Sequence, residues 1–592
     1  MDNEYAREKK PRRLGLIIFI VAVVVFLLGG ILLIAGIASL TKGQAPKVKP
    51  DSTLVLNLER PIQEMPADPF AMQFFGTKVY QFSELHDAIK RAKEDDRIKS
   101  MLIVTGMSGI GIANAQELRA DIEEFKKSKK PVYAYFDATG NSGYYMASCA
   151  DKIYAPPSTI MVMSGLYAEI PFFKDTLEKI KVQPQMYHIG DYKSYSDTFM
   201  RNSMSDAQKE AMDAILDSLF NNFVNDICKG GRFTPDQLKA VIDTGLQHGQ
   251  YLKDNKLVDD LVYPDQVDEM LKKVNGNKEK VSKIDVCDYI KDKRVVLDKM
   301  AKKSVAVVIA SGGIVDDGGS RESNTITPGR LNKLLDQVEK DKSVSAVVLR
   351  VDSPGGSGLA SDIIWNKINQ VRKSKPVVVS MASVAGSGGY YIAMGSDGIV
   401  AQPTTITGSI GVVTGKFVTK GIYDWAGVGM GMMKRGRNAD LWSAYQSFTP
   451  EQEQIVVGHM EQFYKDFVTK VAEGRHMSYD EVHKIAQGRI WSGEDALKIG
   501  LVDRLGGLDE AIALAKEKAK IAAGEKVTIK YYPRQKTVFE TIMEMSGEEI
   551  AMTMLRTVSP ELFAKMEKEA RFVEMLSREP YSLYMPVNVV VE

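Results

Sequence analysis

The chain contains 592 residues, with 77 Lys plus Arg against 76 Asp plus Glu, and 44% of its residues are hydrophobic. This composition excludes a disordered, collagen-like or disulfide-built protein, and a net charge of +1 argues against nucleic acid as a partner. At roughly 150 residues per domain, the length predicts about two to four domains. The three cysteines, Cys149, Cys228 and Cys287, are too scattered for a metal cluster or a disulfide framework, so we expect them to be buried apolar side chains.

An N-terminal segment, residues 14–40, contains no charged side chain and is almost wholly aliphatic. As a helix it spans roughly 40 Å, whereas a bilayer core needs about 30 Å, so a tilted transmembrane helix is predicted. A cleaved signal peptide is the alternative, but its apolar core is shorter, at about 7 to 15 residues. Because more basic residues precede the segment than follow it, the positive-inside rule predicts a cytoplasmic tail at residues 1–13 and an external body.

The body contains an internal repeat. Residues 100–137 resemble residues 345–382, and Tyr144 corresponds to Tyr390 at an offset of 246 residues. A period near 245 residues is too long for a solenoid and indicates two copies of one domain. The predicted domains are residues 41–300 and residues 301–592, the second with a helical C-terminal tail.

Each copy follows the order strand, glycine-rich turn, helix, strand, glycine-rich turn, helix. The helices are expected near residues 114–126 and 360–372, and each follows a short strand rich in β-branched residues. Strands that alternate with crossover helices indicate an α/β fold with parallel sheets. In such sheets the functional turns lie at the carboxyl ends of the strands.

The two copies have lost different residues. When the tyrosines are aligned, Ser387 in AGSGGYY falls opposite Asn141 in the first copy. When GDYKS in the first copy is aligned with GRNAD in the second, Lys193 falls opposite Ala439. One copy therefore keeps a serine where the other keeps a lysine.

Ser387 is a candidate nucleophile because it lies in a glycine-rich strand-to-helix turn, where a substrate backbone can approach its hydroxyl. A serine hydroxyl is weakly nucleophilic unless a base, usually His or Lys, removes its proton. The N–H of Gly388 is a natural donor to an oxyanion, and the N–H of Gly356 is a candidate for the second donor. The alternative is that this turn is only a tight turn or an anion-binding nest.

Four motifs resemble those of the signal peptide peptidase A family, also called protease IV, in its long, duplicated and membrane-anchored type. These motifs are DSPGGSG at 352–358, AGSGGYY at 385–391, TGSIGV at 407–412 and GRIWSGEDALKIGLVD at 488–503. The resemblance implies two tandem ClpP/crotonase-like domains and a serine peptidase with a Ser/Lys dyad. Ser387 is then the nucleophile and Lys193 the general base, with Ser409 orienting the lysine.

The resemblance also implies how the protein works in the cell. It predicts degradation of released signal peptides and other hydrophobic peptides at the inner membrane of a bacterium, with the catalytic body on the periplasmic side. It further implies a homo-oligomer, commonly a tetramer, and no metal or other cofactor. A lysine base must be neutral, so we expect Lys193 to be buried, which lowers its pKa.

Three alternatives remain open at this point. A Ser/His/Asp triad would use a histidine, and His188 is the nearest candidate because it lies five residues before Lys193. A crotonase-like acyl-CoA enzyme would use the same oxyanion geometry, and a non-catalytic membrane scaffold would use neither residue. Tyr390 and Tyr391 are expected to pack behind the nucleophile turn rather than to take part in the reaction.

Overall fold

The computed structural model describes residues 47–67, 79–107, 109–277, 279–292, 301–318, 325–535, 540 and 582–584. The predicted cytoplasmic tail, the predicted transmembrane helix and nearly all of the predicted helical C-terminal tail lie outside these residues. Among the helices that are described, none combines the length and the apolar character needed to cross a membrane.

The first half of the described chain alternates short strands with helices. Its strands are β1 Ser52–Asn57, β2 Ile62–Gln63, β3 Tyr80–Gln81, β4 Ile98–Val104, β5 Val132–Tyr135, β6 Ala138–Gly140, β7 Lys152–Ala155, β8 Ile160–Met163, β9 Gln183–Ile189, β10 Gly245–His248, β11 Asp260–Leu261 and β12 Ser282–Asp285. Its helices are α1 Phe82–Glu94, α2 Ile112–Lys126, α3 Asn141–Ala147, α4 Lys174–Lys179, α5 Asp197–Met200, α6 Asp206–Cys228, α7 Pro235–Ile242, α8 Gly249–Asp254, α9 Pro264–Val274 and α10 Val286–Tyr289.

The second half repeats this alternation. Its strands are β13 Ser304–Ser311, β14 Gly313–Ile314, β15 Thr325–Ile326, β16 Val344–Ser353, β17 Gly355–Ser357, β18 Val377–Gly386, β19 Ile399–Ala401, β20 Ile406–Gly408, β21 Val412–Val418, β22 Ile490–Ser492, β23 Arg504–Leu505, β24 Thr528–Tyr532 and β25 Ser582–Tyr584. Its helices are α11 Pro328–Lys340, α12 Gly358–Arg372, α13 Gly388–Ala393, α14 Lys420–Trp425, α15 Pro450–Arg475, α16 Tyr479–Ile485, α17 Gly493–Lys498 and α18 Leu508–Lys518.

Each half builds its own main sheet. The first sheet has the order β11-β7-β5-β4-β1-β12 and the second the order β22-β20-β18-β16-β13-β24. All neighbours in the first sheet are parallel, and in the second only the β20–β22 pair is antiparallel. Strand β16 is buried along almost its whole length, as expected for a β-branched strand covered by helices on both faces. The prediction of an α/β fold with parallel sheets is therefore confirmed.

A third, largely antiparallel sheet was not predicted, and it joins the two halves. Its order is β15-β14-β17-β25-β21-β9, so β9 of the first half pairs with β21 of the second. That pairing runs antiparallel from Val412 opposite Ile189 to Val418 opposite Gln183. The sequence pattern did not reveal this sheet because it depends on contacts between the repeats.

Buried charges also hold the two halves together. The guanidinium of Arg350 on β16 is fully buried and donates to the carboxylates of Glu64 and Glu117 from the first half. On another part of the interface, the ring of His86 lies between Asp121 and Asp509, at 2.8 and 3.2 Å. Burial alone would lower the pKa of His86, but the two carboxylates outweigh it and raise the pKa to about 10.

The cysteine prediction needs correction. All three cysteines are free, and Cys149 is buried as expected, but Cys228 and Cys287 are partly exposed. Cys228 is the last residue of α6 and Cys287 lies in the short helix α10 near the edge strand β12, so solvent reaches one side of each. The proposed boundary between the two domains, at residue 300, lies outside the described residues.

Candidate active site

The candidate nucleophile Ser387 lies between the end of strand β18 and the start of helix α13, and its side chain is fully buried. Its φ is 53°, a conformation that is uncommon for a residue with a Cβ. The backbone holds it there, because its N–H donates to the Gly408 carbonyl at 2.8 Å and its carbonyl accepts from the N–H of Tyr391. A serine on such a strained strand-to-helix turn presents its hydroxyl at the carboxyl end of the sheet.

Lys193 reaches this serine from the other repeat. Its Nζ lies 2.8 Å from Ser387 Oγ, 2.9 Å from Ser409 Oγ and 2.9 Å from the Ser409 carbonyl oxygen. The three residues that the sequence analysis singled out by motif are therefore in direct contact, although 194 positions separate the lysine from the candidate nucleophile.

The surroundings of the lysine suit a base. Its side chain is fully buried, and this burial lowers the pKa of Lys193 to about 7. An amine with that pKa is about half neutral at pH 7, whereas an ordinary lysine is almost wholly protonated. Among the described residues no carboxylate contacts the amine, so no ion pair offsets the effect of burial.

Residues near the second-repeat motif at 488–503 hold the lysine in place. The N–H of Tyr192 donates to the Gln487 carbonyl at 2.9 Å. Gly488 has a φ of 79°, and a Cβ added to it would lie 2.5 Å from the Cβ of Lys193. Only glycine permits this close approach. This role could not be predicted from the motif, since nothing in the local sequence pattern shows which residue packs on Gly488.

The two candidate oxyanion glycines lie next to each other beside the serine. A Cβ added to Gly388 would lie 3.2 Å from the backbone nitrogen of Gly356 and 2.7 Å from Ser361 Oγ. Gly356 lies in strand β17 with a φ of 149°, and a Cβ there would meet the Ile314 carbonyl oxygen at 1.9 Å. Both positions therefore exclude a side chain.

Asn141, the counterpart of Ser387 in the first repeat, has a structural role instead. Asn141 Nδ2 donates to the Gly165 carbonyl at 2.9 Å, and the Gly165 N–H lies 3.3 Å from Asn141 Oδ1. These bonds tie the first-repeat turn to the backbone that follows strand β8. Ala439, the counterpart of Lys193, carries no group that could accept a proton.

The other candidates lie apart from the reacting atoms. His188 is exposed, and its Nδ1 lies 3.0 Å from the Gly190 carbonyl oxygen; no contact with Ser387 occurs within the described part of the chain. Tyr390 is buried and donates to the Leu501 carbonyl, and Tyr391 donates to Asp362. The two tyrosines thus pack behind the nucleophile turn, as expected.

An extended segment of the chain lies beside the glycine strand. Strand β25 is antiparallel to β17, with Leu583 opposite Gly356, and it also pairs with β21 through Ser582 opposite Val413. The space between β17 and β21 therefore accepts one extended backbone. A hydroxyl and a base at a buried turn, next to a slot for an extended chain, are suited to acyl transfer and place the protein among the serine hydrolases.

Comparison with known proteins narrows this class. The model of peptidase family S49 matches residues 124–278 and 369–522, once in each repeat. The chain is 32% identical over 511 residues to the chloroplastic serine protease SPPA of Arabidopsis thaliana, which covers 85% of this chain and 74% of that protein. It is also 32% identical over 503 residues to Protease 4 of Salmonella typhi, with 81% and 79% covered.

Among solved structures, a ClpP1 mutant from Listeria monocytogenes is 15% identical, with a TM-score of 0.24, and covers 34% of this chain and 92% of its own. A membrane-bound stomatin-specific protease mutant in complex with a substrate peptide is 17% identical, with a TM-score of 0.26, and covers 43% and 99%. The family match and the relatives settle the identity: the chain belongs to peptidase family S49. It is a serine protease, and this membership disfavours the acyl-CoA enzyme and the non-catalytic scaffold.

Proposed function

We propose that Ser387 and Lys193 form a Ser/Lys dyad that hydrolyses peptide bonds. Lys193 Nζ takes the proton of Ser387 Oγ as this oxygen attacks the scissile carbonyl carbon, and the carbonyl oxygen becomes an oxyanion. The carbon–nitrogen bond then breaks, the protonated Lys193 gives its proton to the leaving amine, and an acyl-enzyme ester remains. Water attacks the ester with Lys193 again as base, which releases the acid and restores Ser387. The observation that carries this proposal is the buried 2.8 Å contact between the two side chains.

The backbone N–H groups of Gly356 and Gly388 donate to the oxyanion. This role is supported by the position of both glycines beside Ser387 and by the absence of room for a Cβ at either of them. Each donor of this kind contributes about 3 to 4 kcal/mol to the stability of the transition state. Ser409 orients the lysine, because its hydroxyl and carbonyl oxygens both lie within hydrogen-bond distance of Nζ.

The substrate binds as an extended strand between β17 and β21. Strand β25 supports this mode, since an extended backbone already pairs with both neighbours there. The peptides degraded are released signal peptides and other hydrophobic peptides, which is the activity that the family resemblance implies. A buried dyad beside a narrow slot favours such unfolded chains over folded proteins.

The protein acts at the inner membrane of a bacterium. Residues 14–40 anchor it as a single transmembrane helix, residues 1–13 are cytoplasmic, and the catalytic body lies on the periplasmic side. The apolar, uncharged character of residues 14–40 supports the anchor. The body assembles as a homo-oligomer, commonly a tetramer. The topology is tested in a chain whose three native cysteines are replaced by serine, since two of them are partly exposed. A cysteine introduced at Ala45 is expected to react with a membrane-impermeant maleimide in intact cells, and one introduced at Ala6 is not.

Labelling by an activated fluorophosphonate tests the dyad. The wild-type chain is expected to be labelled at Ser387, and the labelling and peptide hydrolysis are both expected to be lost in Ser387→Ala. Lys193→Ala removes the base and is expected to abolish hydrolysis. Asn141→Ser restores a hydroxyl at the matching turn of the first repeat, where no lysine is available, and serves as the control with unchanged activity. Substantial peptide hydrolysis by Lys193→Ala would refute the dyad. Loss of peptide hydrolysis in His188→Ala would favour the Ser/His/Asp triad.

A further inference from the structure

One segment of the second repeat, residues 429–435, lacks a neighbouring strand, although the side chain of Lys434 within it pairs with Asp440. All seven residues are exposed, including Met433 with 96% of its surface accessible, and they adopt no helix or strand. None of their backbone N–H groups donates a hydrogen bond within the described residues. Exposed apolar side chains together with unpaired backbone N–H groups form an edge to which another chain can be added.

A segment of the first repeat, residues 166–172, has the same incomplete character. Its residues alternate between partly buried and exposed, as in a strand, with Tyr167 73% exposed. Leu166, Ala168 and Ile170 pack on an apolar cluster that helix α6 forms with residues of the second repeat. The backbone N–H groups of the segment nevertheless make no hydrogen bond among the described residues. It is therefore shaped as a strand but lacks a neighbour.

The internal repeat relates these two segments to the strand pair that joins the halves. The offset of 246 residues, which aligns Tyr144 with Tyr390, also aligns residues 183–189 with 429–435 and residues 166–172 with 412–418. Residues 183–189 are strand β9 and residues 412–418 are strand β21, which pair antiparallel within one chain. Each unpaired segment is thus the repeat counterpart of one member of a pair.

We propose that residues 429–435 of one copy pair antiparallel with residues 166–172 of a second copy of this chain. The contact repeats between two chains the β9–β21 pairing that already exists within one. This pairing rests on the homo-oligomer of the proposed function but not on the dyad. Residues 429–435 and 166–172 are then the surfaces through which the chains of the oligomer meet.

The register follows from the intramolecular pair. Val412 lies opposite Ile189, so their counterparts Leu166 and Arg435 lie opposite each other, and Glu169 lies opposite Met432. In this register Glu169 and Lys434 are diagonal neighbours of opposite charge on one face of the sheet.

The position of Pro171 is compatible with this register. Pro184 lies opposite Phe417 in the existing pair, and β9 is an edge strand. Because proline has no N–H, this position must be one where the N–H would point outward rather than into the pair. Pro171 is the repeat counterpart of Phe417 and lies at the same level of the proposed pair, opposite Met430, so it removes no hydrogen bond from the contact.

A lipid surface fits residues 429–435 less well than a protein does. Unpaired backbone N–H and C=O groups cannot enter hydrocarbon without a large free-energy cost, whereas a second strand supplies their partners. The pairing is head-to-tail, since each copy offers one segment of each kind, and such contacts generate a ring when the rotation closes. At each junction it brings Ala439 of one copy toward Asn141 of the next, so the lost residues fall at contacts between chains.

Disulfide trapping tests the register in the full chain purified in detergent. Both preparations have the three native cysteines replaced by serine, since two of these are partly exposed. One carries Glu169→Cys and the other Met432→Cys, and the two are mixed under mild oxidation. In the proposed register positions 169 and 432 form a non-hydrogen-bonded pair, whose Cα atoms lie about 4.5 Å apart. We therefore expect a covalent dimer that neither preparation forms alone. The control replaces the second variant with Met430→Cys, which lies two residues out of register and is expected not to cross-link.

A pair of proline variants tests the hydrogen bonds. Met433 lies at a hydrogen-bonded position of the proposed pair, where its N–H points toward the partner strand. Met432 lies at a non-hydrogen-bonded position, where its N–H points away from the partner strand. We expect Met433→Pro to reduce the oligomer mass in native mass spectrometry, and Met432→Pro to leave it unchanged. If the chain is oligomeric but positions 169 and 432 do not cross-link, or if the two proline substitutions change the oligomer mass equally, the proposed strand pairing is wrong. A wild-type chain that is monomeric overturns the proposed oligomer as well, while fluorophosphonate labelling reports the dyad separately.

Discussion

Ser409→Ala is expected to lower the maximum of kcat/KM and to shift the acid limb of its pH profile to lower pH. Lys193 Nζ has three oxygen neighbours: Ser387 Oγ, Ser409 Oγ and the Ser409 carbonyl. A protonated amine donates to all three. A neutral amine has two N–H groups, which the two Ser409 oxygens accept, so that its lone pair faces the Ser387 hydroxyl. The substitution removes one of the two contacts that aim the lone pair.

The size of both effects follows from the one lost hydrogen bond, which contributes about 0.5 to 1.5 kcal/mol. Loss of an acceptor for the charged amine lowers the pKa of Lys193 by about 0.4 to 1.1 units below its value of about 7. The reaction needs the neutral amine, so activity is lost as the pH falls through this pKa. The acid limb of kcat/KM therefore moves to lower pH, while the plateau falls by about 2- to 12-fold.

The assay is the pH profile of kcat/KM for a fluorogenic peptide from pH 5 to about pH 9. Ser396→Ala is the control, because it removes another buried hydroxyl, which donates to the Gly398 carbonyl in the turn after helix α13. We expect its profile to match the wild type. An acid limb of Ser409→Ala that stays in place or moves to higher pH would refute the assignment of Lys193 as the titrating base.

Three further results are expected. Arg350→Met leaves two buried glutamates without their cation, so the free energy of unfolding measured with urea is expected to fall by about 3 to 5 kcal/mol. Gly488→Ala places a Cβ against Lys193, the proposed base, and is expected to lower kcat about 100-fold. Gly276→Ala, also at positive φ but with open space around it, is expected to retain activity. The pKa of His86 is raised from 6.5 to about 10, so its stabilising contribution is complete below pH 6.5 and lost toward pH 10. His86→Asn is therefore expected to flatten the unfolding free energy between these pH values, and an unchanged slope would contradict the assignment.

Much of the fold could be predicted because it depends on short-range patterns. Strand β16 and helix α12 each carry their own signal, a buried β-branched run and an amphipathic period, within one segment. The sheet that joins the halves could not be predicted in this way. Its strands β14, β15 and β17 contain only two or three residues, and β9 and β21 pair only because the two repeats meet.

The repeat and the candidate residues follow from the amino-acid sequence alone, because alignment at an offset of 246 residues shows a serine kept in one copy and a lysine in the other. The burial of Lys193 and its 2.8 Å distance from Ser387 depend on the tertiary structure. A pKa depends on the atoms around a group, and these come from segments far apart in the chain, including Ser409 and the turn at Gly488. For the same reason the two unpaired segments could be recognised as counterparts of β9 and β21 only once that pairing was seen.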